Sequence, residues 1–108
     1  MGMVLPALPF TLARRDAQGE AVEQALLTLR FEEHNGEWCG TCLELGTAAE
    51  GDSLEEASEA LKEAVLLQIT EAEKRGFLRE LLQDRNVRLT PVERERREGW
   101  ELVSVGAL

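Results

Sequence analysis

The sequence predicts an α+β domain in which an antiparallel sheet of three to four strands carries one long helix on one face. Three observations carry this expectation. A capped amphipathic run fills residues 51–76, an Asn35-Gly36 dipeptide divides two alternating stretches, and a last extended stretch runs from Trp100 to Val105. Strands followed by helices and a returning strand are the order of helices laid on one sheet face.

The helix has both of its end signals. Ser53 precedes Glu56 by three residues, a capping box in which the hydroxyl accepts from the Glu56 N–H and the carboxylate reaches back to the N–H of Ser53. Glu55, Glu56 and Glu59 suit the positive end of the helix dipole, and Lys74 and Arg75 suit the negative end. Gly76 supplies the left-handed residue that closes the last turn. The helix therefore spans Leu54 to Arg75, roughly 33 Å at the α-helical rise. Leu54, Ala57, Leu61, Ala64, Val65 and Ala72 form its apolar stripe. Leu66, Leu67 and Ile69 widen that stripe beyond what one sheet face needs. They are the candidate residues of a self-association surface, and a homodimer or higher even oligomer is expected.

Residues 1–25 read as an N-terminal extension. Within it, Phe10 to Arg14 suits a short strand, Asp16 to Gly19 a turn, and Glu20 to Gln24 either a helical turn or a strand. Residues 26–108 read as a single domain. Leu27, Leu29 and Phe31 alternate with Thr28, Arg30 and Glu32, which is the pattern of a half-buried strand. Asn35-Gly36 is a strong hairpin signal, and Glu37 to Leu45 is the returning strand. Ala48 to Glu50 forms a short third strand or bridge. After the long helix, Phe77, Leu78, Leu81 and Leu82 stripe a second helical piece ending near Asn86. Thr90-Pro91-Val92-Glu93 is a second capping box, predicting a short helix from Pro91 to Glu98 before the C-terminal strand.

A length of 108 residues fits one domain with its own core. The net charge of −9, from 12 basic and 21 acidic residues, argues against nucleic-acid binding over the whole surface and suits a basic partner. No apolar run approaches a membrane span, and the N-terminus lacks the pattern of a signal peptide. A cytoplasmic protein with reduced cysteines is expected.

Cys39 and Cys42 form a C-x-x-C, but the alternation places them on a strand, where their side chains diverge. A zinc site would need two further ligands, and His34 is the only histidine. The pair reads as two sheet cysteines, and no metal or cofactor is expected. Glu32, Glu33, Glu37 and Glu44 read as a solvated hairpin edge, and no phosphate-cradling loop occurs. A non-enzymatic protein is expected. Arg85, Arg88, Arg94, Arg96 and Arg97 cluster late in an otherwise acidic chain, interleaved with Glu93, Glu95 and Glu98. They leave open a second reading, a stand-alone nucleic-acid-binding protein that uses this segment.

The run from Phe31 to Ala64 resembles the N-terminal module of HicB-type antitoxins. Gly36 and Trp38 stand near that family's Gly-aromatic pair, and Glu44-Leu45-Gly46 stands at its turn. Gly51-Asp52-Ser53-Leu54-Glu55-Glu56-Ala57 matches its helix start and carries most of the likeness, which covers about residues 26–76. The resemblance implies a β-β-β-α core like part of a ribonuclease H fold without its catalytic residues. It also implies an oligomer, and as partner a small basic RNA-cleaving toxin of the HicA type. The family's turn prolines are missing, and its C-terminal DNA-binding helices have no counterpart in residues 77–108. DNA binding is therefore not expected.

Overall fold

The computed structural model describes residues 2–91 and 99–104. Among them, seven strands form one antiparallel sheet: β1 (Met3–Val4), β2 (Leu8–Arg15), β3 (Ala21–His34), β4 (Glu37–Cys42), β5 (Thr47–Gly51), β6 (Thr90–Pro91) and β7 (Gly99–Ser104). Two helices, α1 (Leu54–Lys74) and α2 (Leu78–Asp84), lie between β5 and β6. The strand order is β5-β4-β3-β2-β7, and β1 and β6 both pair with β3. The expected class is observed, on a larger sheet than the three to four strands anticipated.

The difference comes from the short strands β1 and β6 and, above all, from residues 8–25. β3 runs through the expected boundary at residues 25 and 26, and β2 pairs with it from Leu8↔Leu29 to Arg15↔Ala21, with a register shift at Arg14/Arg15. These residues belong to the sheet rather than to an extension of it. The connecting turn is held by Asp16, whose Oδ1 accepts from the backbone N–H of Gln18 and of Glu20, each at 2.9 Å. At the other hairpin Asn35 and Gly36 take φ of 55° and 86°. Two consecutive positive values give a turn whose twist matches the flanking strands, so His34 pairs with Glu37 and the ladder continues to Leu29↔Cys42.

The register collects one apolar face. Phe10 and Leu12 of β2, Ala25, Leu27, Leu29 and Phe31 of β3, Cys42 of β4 and Leu102 of β7 are buried. Ala57, Leu61, Val65, Ile69 and Ala72 of α1 lie against them, with Leu78, Leu82 and Val87 closing one end. The core stripe of α1 thus advances by four residues from Ala57 through Ile69. Leu54, expected in that stripe, is exposed. Leu45 is also core, because the chain turns after Cys42 instead of continuing as a strand.

Both ends of α1 are built as the sequence requires. The Ser53 hydroxyl accepts from the Glu56 N–H at 3.1 Å, while the Glu56 carboxylate reaches the N–H of Asp52, one residue beyond the expected Ser53, at 3.0 Å. At the far end Phe77 N–H donates to the Ala72 carbonyl at 3.0 Å and Gly76 N–H to the Glu73 carbonyl at 3.1 Å. This is the paired closure in which the residue past the cap adopts a left-handed backbone. α2 ends the same way: Asn86 has φ 58°, and Val87 N–H donates to the Leu82 carbonyl at 2.8 Å. Gly51 joins β5 to the start of α1. A Cβ there would stand 2.5 Å from the backbone N of Ala57 and 2.7 Å from Glu56 Cβ, so only glycine allows the strand this close to the helix.

Of the second capping box, the described residues are Thr90 and Pro91. Thr90 and Pro91 pair with Gln24 and Glu23 as β6. β4 stops at Cys42, opposite Leu29, which leaves the first half of β3 without a neighbour on that side, and β6 takes the place. The rest of the expected helix, residues 92–98, lies outside the described residues.

Candidate functional site

Three groups of residues were candidates from sequence. The first is the side of α1 away from the sheet. Ile69 does not belong there: at 0 % exposure it is core, four residues past Val65 and so on the same side of the helix. Leu66 is half-buried and packs on the edge of the core. Leu67, two residues past Val65, points away from the sheet and is 63 % exposed. Along α1 it falls in line with Glu59, Glu63 and Glu71, spaced four residues apart. Glu59 and Glu63 are exposed, and Glu71 is partly so and lies 3.8 Å from Arg75. The outer ridge is therefore a row of carboxylates with one leucine set into it. Glu55 and Glu56 extend the exposed acidic surface to the helix N-terminus.

The second group is the late arginine cluster. Arg94, Arg96 and Arg97 lie outside the described residues. Arg85 caps α2 and donates from Nη1 to the Glu44 carbonyl at 3.2 Å. Arg88 follows the α2 closure, exposed, with no ion pair among the described residues. Sequence reasoning missed Arg14 and Arg79, which the fold brings together with distant carboxylates. Arg79 meets Glu23 at 3.2 Å, Arg14 meets Glu23 at 3.3 Å and Glu73 at 3.1 Å, and Trp100 Nε1 donates to Glu73 at 3.0 Å. This chain of polar contacts ties α1, α2, β2, β3 and β7 together at the C-terminal end of α1. Its partners are up to 59 residues apart, so no local pattern announces them.

The third group is Cys39, Cys42 and His34. Both cysteines are free thiols on β4, Cys39 partly exposed and Cys42 buried, on opposite faces of the strand. Burial pushes the Cys42 thiol up from its ordinary pKa, with the Glu44 carboxylate beside it acting in the same direction. His34 is exposed at the hairpin shoulder, 3.7 Å from Glu32. Glu44, expected in solvent, instead spans to β3: its carboxylate accepts from Thr28 N–H at 2.7 Å and Thr28 Oγ1 at 2.8 Å. It satisfies the strand where β4 turns away. Among the described residues no helix is long and apolar enough to cross a membrane.

Comparison with protein-family models, with curated proteins and with solved structures finds no match to this chain.

Proposed function

We propose that the chain is a non-enzymatic, HicB-like antitoxin that works in the cytoplasm by sequestering a small basic RNA-cleaving toxin. The observation that carries this reading is the outer ridge of α1, where Leu67 stands exposed in line with Glu59, Glu63 and Glu71. A row of carboxylates attracts a cationic surface and speeds encounter, and an apolar side chain within it supplies an anchor whose burial holds the complex. The succession β3, β4, β5, α1, with Gly51 packed against the capped helix start, supports the resemblance on which the toxin's chemistry rests.

The same ridge suits a second copy poorly. A symmetric contact through Leu67 would set Glu63 and Glu71 against their equivalents, and like charges in contact oppose association. Self-association, which the resemblance also implies, is proposed along β5, an edge strand with one ladder left open among the described residues. The test is co-expression with the small basic protein encoded by the adjoining reading frame. The expected outcome is relief of that protein's growth arrest and a stable complex on size exclusion, both lost in Leu67→Glu. An adjoining frame with no such protein, or a toxin that Leu67→Glu neutralises as well as the wild type, would refute the reading.

A further inference from the structure

Two clefts adjoin at Arg88. One, of about 430 Å³, is lined by Arg79, Leu82, Gln83, Asn86, Val87, Arg88 and Leu89. The other, of about 440 Å³, opens on the sheet face away from α1 and is lined by Thr11, Gln24, Ala25, Leu26, Asn86, Arg88 and Thr90. Both lie within the roughly 300–1,000 Å³ of small-ligand sites. Asn86 and Arg88 form the rim they share. Neither lining holds a carboxylate, although the chain has 21 acidic residues.

The cation on the rim, like Arg85, Lys62 and Lys74, has no ion pair among the described residues. Arg14, Arg30, Arg75 and Arg79 each have a glutamate within 4.0 Å, whereas Arg88 has no carboxylate partner among the described residues. Its guanidinium presents a planar fork that matches a phosphate bidentately. Each cleft beside it pairs side-chain amides, Gln83 and Asn86 in one and Gln24 and Asn86 in the other, with an apolar wall, Leu89 or the 59 % exposed Leu26. Amides bond the edges of unpaired bases, and apolar walls take base faces. The rim is tied to the fold on both sides: Asn86 closes α2, and Thr90 Oγ1 donates to the Gln24 carbonyl at 3.3 Å.

We infer that this pair of clefts binds one dinucleotide step of a single-stranded nucleic acid, with the linking phosphate on Arg88 and one nucleoside in each cleft. A duplex does not fit the arrangement, because its bases are stacked and paired away from such clefts. The site is independent of the Leu67 ridge.

The test is fluorescence anisotropy with labelled oligo-uridine RNA, the matching oligo-thymidine DNA, an RNA duplex of equal length and a poly-glutamate peptide of equal charge. Both single strands are expected to bind at about 50 mM salt and to weaken as salt rises. Tighter binding of the RNA identifies RNA as the ligand; equal binding assigns the site to either single strand. Arg88→Ala should weaken binding about ten-fold or more, as for loss of a charged hydrogen bond, and Leu26→Glu should do so by replacing an apolar wall with a carboxylate that repels the phosphate. Arg88→Ala should also flatten the salt dependence by about one phosphate's share. Arg75→Ala, remote from the clefts, should change nothing. Both test positions are exposed, and unchanged thermal melts would verify folding. No binding of the single strands at low salt, wild-type affinity in both variants, or equal affinity for the duplex or the peptide would each overturn the assignment.

Discussion

Gly51→Ala tests how closely β5 and α1 are joined. The added Cβ would lie 2.5 Å from Ala57 N, 2.7 Å from Glu56 Cβ and 2.8 Å from Glu56 C. Comfortable carbon contacts start near about 3.5 Å, so close to 1 Å of movement is needed. The obstructing atoms are mostly backbone, held by the Ser53 and Glu56 capping bonds at 3.1 and 3.0 Å. Either the last pair of the β4–β5 ladder, Trp38↔Gly51, opens or the first turn of α1 lifts and loses its cap. Overpacking of this kind costs about 1–3 kcal/mol and the cap about 1 kcal/mol, offset by about 0.4–1 kcal/mol from a stiffer unfolded chain. A net loss of about 2 kcal/mol is expected, which lowers the Tm of a domain this size by about 10 °C. Urea unfolding and thermal melts measure it. The double variant Gly51→Ala/Ser53→Ala should lose less than the sum of the single losses, since both act on the same cap. A Gly51→Ala protein within about 0.5 kcal/mol of wild type, or strict additivity with Ser53→Ala, would refute the close approach.

Further outcomes follow from burial. Leu61→Ala removes a core side chain and should cost about 2–5 kcal/mol, well above the roughly 1 kcal/mol of Ser53→Ala; the reverse order in urea unfolding would mean that α1 is rotated. Leu67→Glu should leave monomer stability within about 0.5 kcal/mol, because the side chain is largely in solvent. Unfolding of that variant would return Leu67 to the core. Glu44→Gln keeps the shape but weakens the charged bonds to Thr28, and should cost about 1 kcal/mol by the same assay. The raised Cys42 pKa makes stability depend on alkaline pH. The unfolded thiol ionises first, so the stabilisation is complete below its ordinary pKa and is lost as pH climbs from there through the raised folded value. Unfolding curves of Cys42→Ala should show a shallower alkaline decline than wild type, and identical declines would count against the burial of this thiol.

Local signals determined the elements nearest the resemblance. The capping box, the Asn35-Gly36 turn and the alternation at Leu27, Leu29 and Phe31 act over a few residues, through hydrogen bonds and backbone preferences that do not depend on the rest of the molecule. The hairpin, the third strand, α1 and the second helical piece were legible for that reason. The expected apolar excess on α1 was half legible: the composition of residues 66–69 showed it, but helix rotation sent Ile69 inward and Leu67 outward.

The rest was decided by distant partners. The short strand expected over Phe10 to Arg14 is present as β2, but its pairing along the first half of a longer β3 joins two segments neither of which announces the other. Thr90 and Pro91 pair with Gln24 and Glu23 because β4 ends early and leaves that edge open, a neighbour their own pattern does not name. Glu44 looked like a solvent-facing acid until the turn after Cys42 carried it back to Thr28. The two clefts at Arg88 join residues from β2, β3, α2 and the segment after it. Tertiary pairing decides such features because an open strand edge or a buried polar atom must be satisfied by whatever the fold brings near, and sequence spacing holds no record of that neighbour.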